Sequence, residues 1–228
     1  MTSSFRSIIA AVATSIAVVA FAPAAFAQAE QQKLIDSADA TLSNFVRDPD
    51  MKWIQQNIGR AKGVLIAPQI VKAGFIFGGS GGRAVLIAKD PKTGQWVGPA
   101  FYALATASVG FQAGVEVSEA ITLVMTDKGM NSLLSPSFKI GGDASVAAGP
   151  VGAGAKSDIV ADLIAFSRSK GIYGGLNLDG TVVNTSDDWN QAYYGKKVMS
   201  PDILVRVSVR ETGADKLIAD ITRAAGGK

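Results

Sequence analysis

The chain has 228 residues, 48% of them hydrophobic and 18% charged, a balance that supports one folded core and excludes a disordered polymer. It contains neither Cys nor His, so disulfides, thiolate or imidazole metal sites and any nucleophile relying on a histidine base are excluded. The 22 Lys+Arg against 19 Asp+Glu give a formal net charge of +3, too small to mark a nucleic-acid binder.

The first segment has the pattern of an export signal. Arg6 supplies a positive start, Ile8 to Phe21 carries no charge, and Ala25-Phe26-Ala27 is a small-x-small cleavage site. The alternative, a retained anchor, needs about 20 apolar residues, and Pro23 interrupts this run. No Cys exists for lipid attachment. The expected domain plan is a leader over 1–27 and one domain over 28–228, in a periplasmic or secreted location.

Within that domain Leu34, Ala38, Leu42, Phe45 and Val46 recur at helical spacing, with Glu30, Lys33, Asp36 and Asp39 on the opposite side. Asp48-Pro49 ends this helix and starts a second, which runs past Trp53 and Ile54 toward Gly59. These N-terminal helices occupy 28–58. None of the 25 glycines precedes Gly59, and only Gly195, Gly213, Gly226 and Gly227 follow Gly180.

The glycine-rich core, 59–185, is expected to be strands: Gly63 to Ala67, Gly74 to Phe77, Ala84 to Lys89, Gln95 to Val97, Ala113 to Thr126, Phe138 to Ile140, Ser145 to Ala148, Leu163 to Ser169, Tyr173 to Leu178 and Thr181 to Val183. Turn signals such as Asp90 to Gly94 and Asp179-Gly180 separate them. Short helices are expected at Lys128 to Leu134 and Asp187 to Tyr194. Over 186–228 helices and a strand are expected, with a Thr212/Asp215 capping box before Leu217, Ile218 and Ile221. The fold class is α+β, a single domain with a glycine-rich, curved antiparallel sheet, open or barrel-like, flanked by helices from both chain ends.

Three motifs carry little chemistry. Gly78 to Gly82 fits a nucleophile elbow, but there is no histidine and no following helix, so a hairpin or bulge is expected. Gly149 to Ser157 misses a phosphate loop by one residue, and no nucleotide, cofactor or metal is expected. Glu119 stands alone among Val115, Val117, Ile121 and Leu123 on one strand face. A bulge near Ser118 or local hydrogen bonding accounts for it, the alternative being an acid in a carboxylate-only hydrolase.

The stronger signal is electrostatic. Between Asp50 and Asp90 lie Lys52, Arg60, Lys62, Lys72, Arg83 and Lys89 without one acidic residue. Trp53, Phe75 and Phe77 fall in the same stretch, and cations beside aromatic rings suit an anionic phospholipid surface. The expected lipid-binding residues are Lys52, Trp53, Arg60, Lys62, Lys72 and Arg83, with no catalytic and no metal-binding residue. The alternative is that the six cations point apart, leaving an envelope structural or protein-interaction module.

Four ordered blocks, Pro68 to Gly79, Gly110 to Glu116, Phe138 to Pro150 and Ser167 to Gly175, together resemble the SYLF-domain family over about Ala61 to Tyr194. The resemblance implies a non-enzymatic lipid-binding domain: eukaryotic relatives bind phosphoinositide membranes, fungal ones also bind actin, and bacterial ones are exported. In eukaryotic relatives a basic N-terminal amphipathic segment contributes. Here Gln28 to Asp50 has Lys33 and Arg47 against Glu30, Asp36, Asp39, Asp48 and Asp50, so the basic role moves to Lys52, Arg60, Lys62 and Lys72. The partner implied is phosphatidylglycerol or cardiolipin rather than actin.

Overall fold

The computed structural model describes residues 22–74, 77–109, 114–152, 159–169, 172–174 and 180–226. Helix α1 (Ala22–Arg47) buries Ala38, Leu42 and Phe45 as expected, with Ile35 rather than Leu34 taking the fully buried position in the preceding turn and Leu34 and Val46 partly buried. Its register departs from expectation at Asp39, which is buried and paired with Lys216 rather than facing water. Asp48 then caps a short turn over Pro49–Met51, accepting from Asp50 N–H at 2.8 Å. That turn feeds α2 (Lys52–Asn57) and a further turn, Ile58–Arg60.

Four long strands follow: β1 (Gly63–Gly74), β2 (Phe77–Lys89), β3 (Trp96–Val109) and β4 (Gly114–Val124). The first three are longer than their expected counterparts, because small residues that weaken the strand signal are held by pairing on both sides, whereas β4 lies within the expected Ala113 to Thr126. Gly63 to Ala67 and Gly74 begin and end one strand. Gly78 to Gly82, expected as a hairpin or bulge, is regular strand paired with β1 and β3. The bulge lies across from it, where β1 carries an extra residue between Ile66 and Ile70 relative to β2 and β4. A Cβ on Gly82 would lie 2.5 Å from the Gln69 carbonyl oxygen, so the bulge requires glycine there. At the β2–β3 turn the Asp90 carboxylate accepts from Lys92 N–H at 2.9 Å and Thr93 Oγ1 at 2.7 Å.

After β4 come α3 (Asp127–Leu134), β5 (Ser137–Lys139), β6 (Val146–Ala148), β7 (Leu163–Ser169), β8 (Ile172–Gly174) and β9 (Val182–Thr185). The chain closes with α4 (Asp187–Tyr194), α5 (Ser200–Leu204), a turn over Thr212–Ala214 and α6 (Asp215–Ala224). The expected capping box does not form, because Ala214 rather than Thr212 occupies the cap of α6. Helix α5 had no clear periodic signal. Beyond β9 the described residues hold helices and irregular segments, and no strand forms there where one was expected.

The strands form a curled half-barrel in the order β5-β9-β3-β2-β1-β4-β7-β6, with β8 also on β7. Among the described strands every pairing is antiparallel except β6 with β7, which is parallel. Cross-strand register places Ile66, Val85, Phe101, Ile121 and Phe166 on one face. Trp53 of α2 meets Phe166 at 5.7 Å between ring centroids, and Trp189 and Tyr193 of α4 meet Phe101. The other face carries Tyr102, whose hydroxyl donates to the Leu133 carbonyl of α3 at 2.7 Å. The core sits between these layers at one end of the long strands. Their other end extends past the helices, where Val71 (38% exposed), Val117 (44%) and Val115 (67%) face water.

Candidate functional site

The six cations of the acid-free stretch divide into groups. Lys52 and Arg60 are exposed along α2 and its following turn, where Trp53, Ile54, Asn57 and Ile58 take the inward positions. Arg60 Nη1 donates to Asn57 Oδ1 at 3.2 Å. Lys62 follows at the start of β1, its ammonium 2.8 Å from the Asp127 carboxylate at the start of α3. Lys89 ends β2 beside it, its N–H bonded to the Lys62 carbonyl at 2.8 Å. Lys62 and Lys89 share one end of the sheet because β1 starts where β2 finishes, and the Lys89 bond to the Gly59 carbonyl brings Arg60 to the same end, whereas Lys52 stands at the start of α2.

The remaining two lie elsewhere. Lys72 is ten positions along β1 from Lys62, roughly 30 Å away at strand rise. Its paired position on β4 is Glu116. Arg83 lies under α4 in the helix layer, its guanidinium carbon 3.9 Å from the Trp189 ring centroid and its Nη1 3.4 Å from Ser186 Oγ. Trp53 is 8% exposed and packs on Phe166, so its ring belongs to the core. Phe75 lies outside the described residues, and Phe77 opens β2.

Two carboxylates join elements. Glu119 is reached by Arg168 of β7 and accepts from Thr41 Oγ1 of α1 at 2.8 Å. The bulge expected near Ser118 is on the partner strand β1, and Glu119 keeps regular pairing with Arg168. Asp162, which sequence reasoning did not single out, is 9% exposed. It accepts from Thr126 Oγ1 at 2.5 Å and from the N–H and Oγ of Ser145 at 2.9 and 2.8 Å. These bonds, with Thr126 foremost, hold its pKa down at about 2. Its only sequence clue was the loop position before β7, since its partners lie 36 and 17 residues away.

The phosphate-loop candidate is structural where described: Gly149 N–H donates to the Ala165 carbonyl at 2.8 Å and Gly152 N–H to the Asp50 carbonyl at 2.9 Å. Residues 153–158, including Lys156 and Ser157, lie outside the described residues. Among the described residues no group of three or more acidic side chains is placed to hold a metal ion, and no helix is long and apolar enough to cross a membrane.

Fold and site together define a small α+β half-barrel domain whose buried polar groups join helices to sheet and whose acid-free stretch spreads its cations over both ends of β1 and the helix layer. Residues 105–224 match the model of the family described as "Las17-binding protein actin regulator", Ysc84. The chain belongs to this family, the SYLF-domain family of the resemblance noted above. The matched region starts later than Ala61 and continues through α6, beyond Tyr194. Similar proteins include "LAS seventeen-binding protein 3" of Saccharomyces cerevisiae, 34% identical over 152 residues, covering 64% of this chain and 33% of that protein. "Protein YSC84" of the same yeast is 33% identical over 152 residues, covering 64% and 32%. "SH3 domain-containing YSC84-like protein 1" of Homo sapiens is 27% identical over 165 residues, covering 70% and 48%. The chain thus spans about a third to a half of the length of these curated relatives.

Proposed function

We propose that the chain is a non-enzymatic, exported protein that associates peripherally with anionic phospholipid through the rim carrying Lys52, Arg60 and Lys62. The observation that carries this reading is the exposure of Lys52 on α2 and of Arg60 on the turn that follows it, while Trp53 and Ile54 anchor the helix. Arg83, stacked on Trp189, and Lys72, at the far end of β1, stand outside that rim. Each basic residue near an anionic surface contributes about 1 kcal/mol. Asp127 offsets part of the Lys62 charge, so the rim supplies about 2–3 kcal/mol. Removal of residues 1–27 and a periplasmic or secreted location belong to the same proposal.

Co-sedimentation with phosphatidylglycerol and phosphatidylcholine vesicles tests it. Binding is expected for the anionic vesicles only, lost in about 0.5 M salt, where the screening length falls to roughly 4 Å. The pair Lys52→Glu and Arg60→Glu is expected to abolish it. Equal binding to both vesicle types, or indifference to that pair, would overturn the proposal.

A second reading, an interaction module for another protein, draws on Val71, Val115 and Val117. These residues form an exposed apolar patch across β1 and β4. Binding to neither vesicle favours it.

A further inference from the structure

A cleft of about 540 Å³ opens between the β2–β3 turn, the irregular segment after α5 that carries Val207, Val209 and Arg210, and α6. Trp96, Val97, Val207, Val209 and Ile218 supply apolar wall, and Lys89, Arg210 and Asp215 supply charge. Its volume falls in the range of small-molecule sites, about 300–1,000 Å³.

The charges do not cancel. Arg210 faces Asp215 at 3.3 Å. Lys89 Nζ donates to the Gly59 carbonyl at 2.6 Å and lies 5.0 Å from the centroid of the Trp96 ring. Among the described residues no carboxylate pairs with it. An ammonium carries three N–H donors, so Lys89 retains capacity for an anion beside a mixed wall in which Trp96, Val97, Val207, Val209 and Ile218 are interspersed with Gln95 and Thr222. The cleft therefore holds one positive charge in excess.

The lip has a second unusual feature. Val207 has φ of 50°, in the left-handed region that a β-branched residue seldom occupies. Its side chain is held at the wall of the cleft by that conformation, and such backbone concentrates at ligand-clamping positions.

We infer that this cleft binds a monoanionic amphiphile, with its acid group on Lys89 Nζ and its apolar body along Trp96, Val97, Val207 and Ile218. One negative charge balances the excess, and a flat or flexible apolar body covers the indole and aliphatic wall. A free fatty carboxylate and the phosphodiester of an anionic phospholipid share this chemistry. The inference stands apart from docking at the α2 rim.

Calorimetric titration of the chain with decanoate and with dihexanoylphosphatidylglycerol, each below its micellar concentration, tests it. Decanol and dihexanoylphosphatidylcholine are the uncharged and zwitterionic controls. At least one anion is expected to saturate at one per chain, its control binding roughly tenfold or more weakly. Whichever anion binds identifies the source. Lys89→Gln is expected to lower that affinity by roughly tenfold, and bound anion is expected to shift the Trp96 indole N–H resonance. Should Lys89→Gln fail to fold through loss of the Gly59 contact, Thr222→Phe decides: it fills the cleft from α6 and is expected to abolish anion binding while leaving vesicle association intact. Absence of binding by both anions, equal binding of a control, or unchanged affinity in Lys89→Gln or Thr222→Phe overturns the inference. Vesicle association in the absence of anion binding would overturn the cleft alone.

Discussion

Glu119 and Arg168 face each other across β4 and β7 directly beneath α1, with Thr41 closing the remaining side of the carboxylate. Arg168 also lies 5.8 Å from the centroid of the Phe45 ring of the same helix. The pair marks the limit of helix coverage: on the strand face that carries Glu119, Ile121 and Leu123 are buried, whereas Val117 and Val115 are exposed.

Removing one partner leaves a charge stranded under the helix. Arg168→Ala is expected to destabilise the fold by about 2–3 kcal/mol, below the full cost for a deeply buried pair because both side chains retain some exposure. The double change Glu119→Leu with Arg168→Leu removes both charges and is expected to restore most of that loss. Urea midpoints at constant slope measure both. A double variant as unstable as Arg168→Ala would show that the pair's role is more than neutralisation.

Asp162 predicts a pH dependence. Its folded-state pKa of about 2 lies below the ordinary value of 3.8, so the folded state favours the ionised form. That contribution is fully present above about pH 4 and is lost as pH falls toward 2. Asp162→Asn is expected to cost about 1–2 kcal/mol at pH 6, with the gap from the unsubstituted chain closing below pH 3. Urea unfolding at several pH values checks this, and a gap independent of pH would contradict it.

Gly82 and Gly81 are neighbours with opposite expectations. A Cβ at Gly82 meets the Gln69 carbonyl oxygen at 2.5 Å, whereas one at Gly81 finds its nearest atom, the Leu104 carbonyl oxygen, at 3.6 Å. Gly82→Ala is therefore expected to destabilise by about 2 kcal/mol or more through displacement of the bulge. Gly81→Ala is expected to be neutral or slightly stabilising, since it lowers the entropy of the unfolded chain. Thermal melts of the two variants discriminate, and equal melting temperatures would remove the steric role assigned to the bulge.

Arg83 is expected to matter for stability rather than for surface charge. Arg83→Ala removes the stack on Trp189 and is expected to cost about 1–2 kcal/mol, with a change in Trp189 fluorescence. Vesicle association is expected to persist in a folded Arg83→Ala sample. Loss of that association with stability unchanged would return Arg83 to the lipid-facing set.

Much of the local structure was legible in residue order, because it depends on neighbours in the chain. The period of Ala38, Leu42 and Phe45 marks α1, Asp48-Pro49 marks its end, and Asp90 to Gly94 marks a turn, each through contacts within a few residues. The absence of His and Cys and the four family blocks were equally available there. Tertiary structure alone decided where the irregularity falls: Gly78 to Gly82 keeps regular register because two neighbouring strands hold it, and the extra residue is accommodated in β1 instead. It also separated cations that are adjacent in the list of residues, placing Lys62 and Lys72 at opposite ends of one strand and turning Arg83 onto Trp189. Charge runs carry no direction in space, whereas strand rise, register and side-chain alternation do. That is why the cleft beside Lys89, built from β2, β3 and α6, emerged only once segments more than a hundred residues apart were brought together.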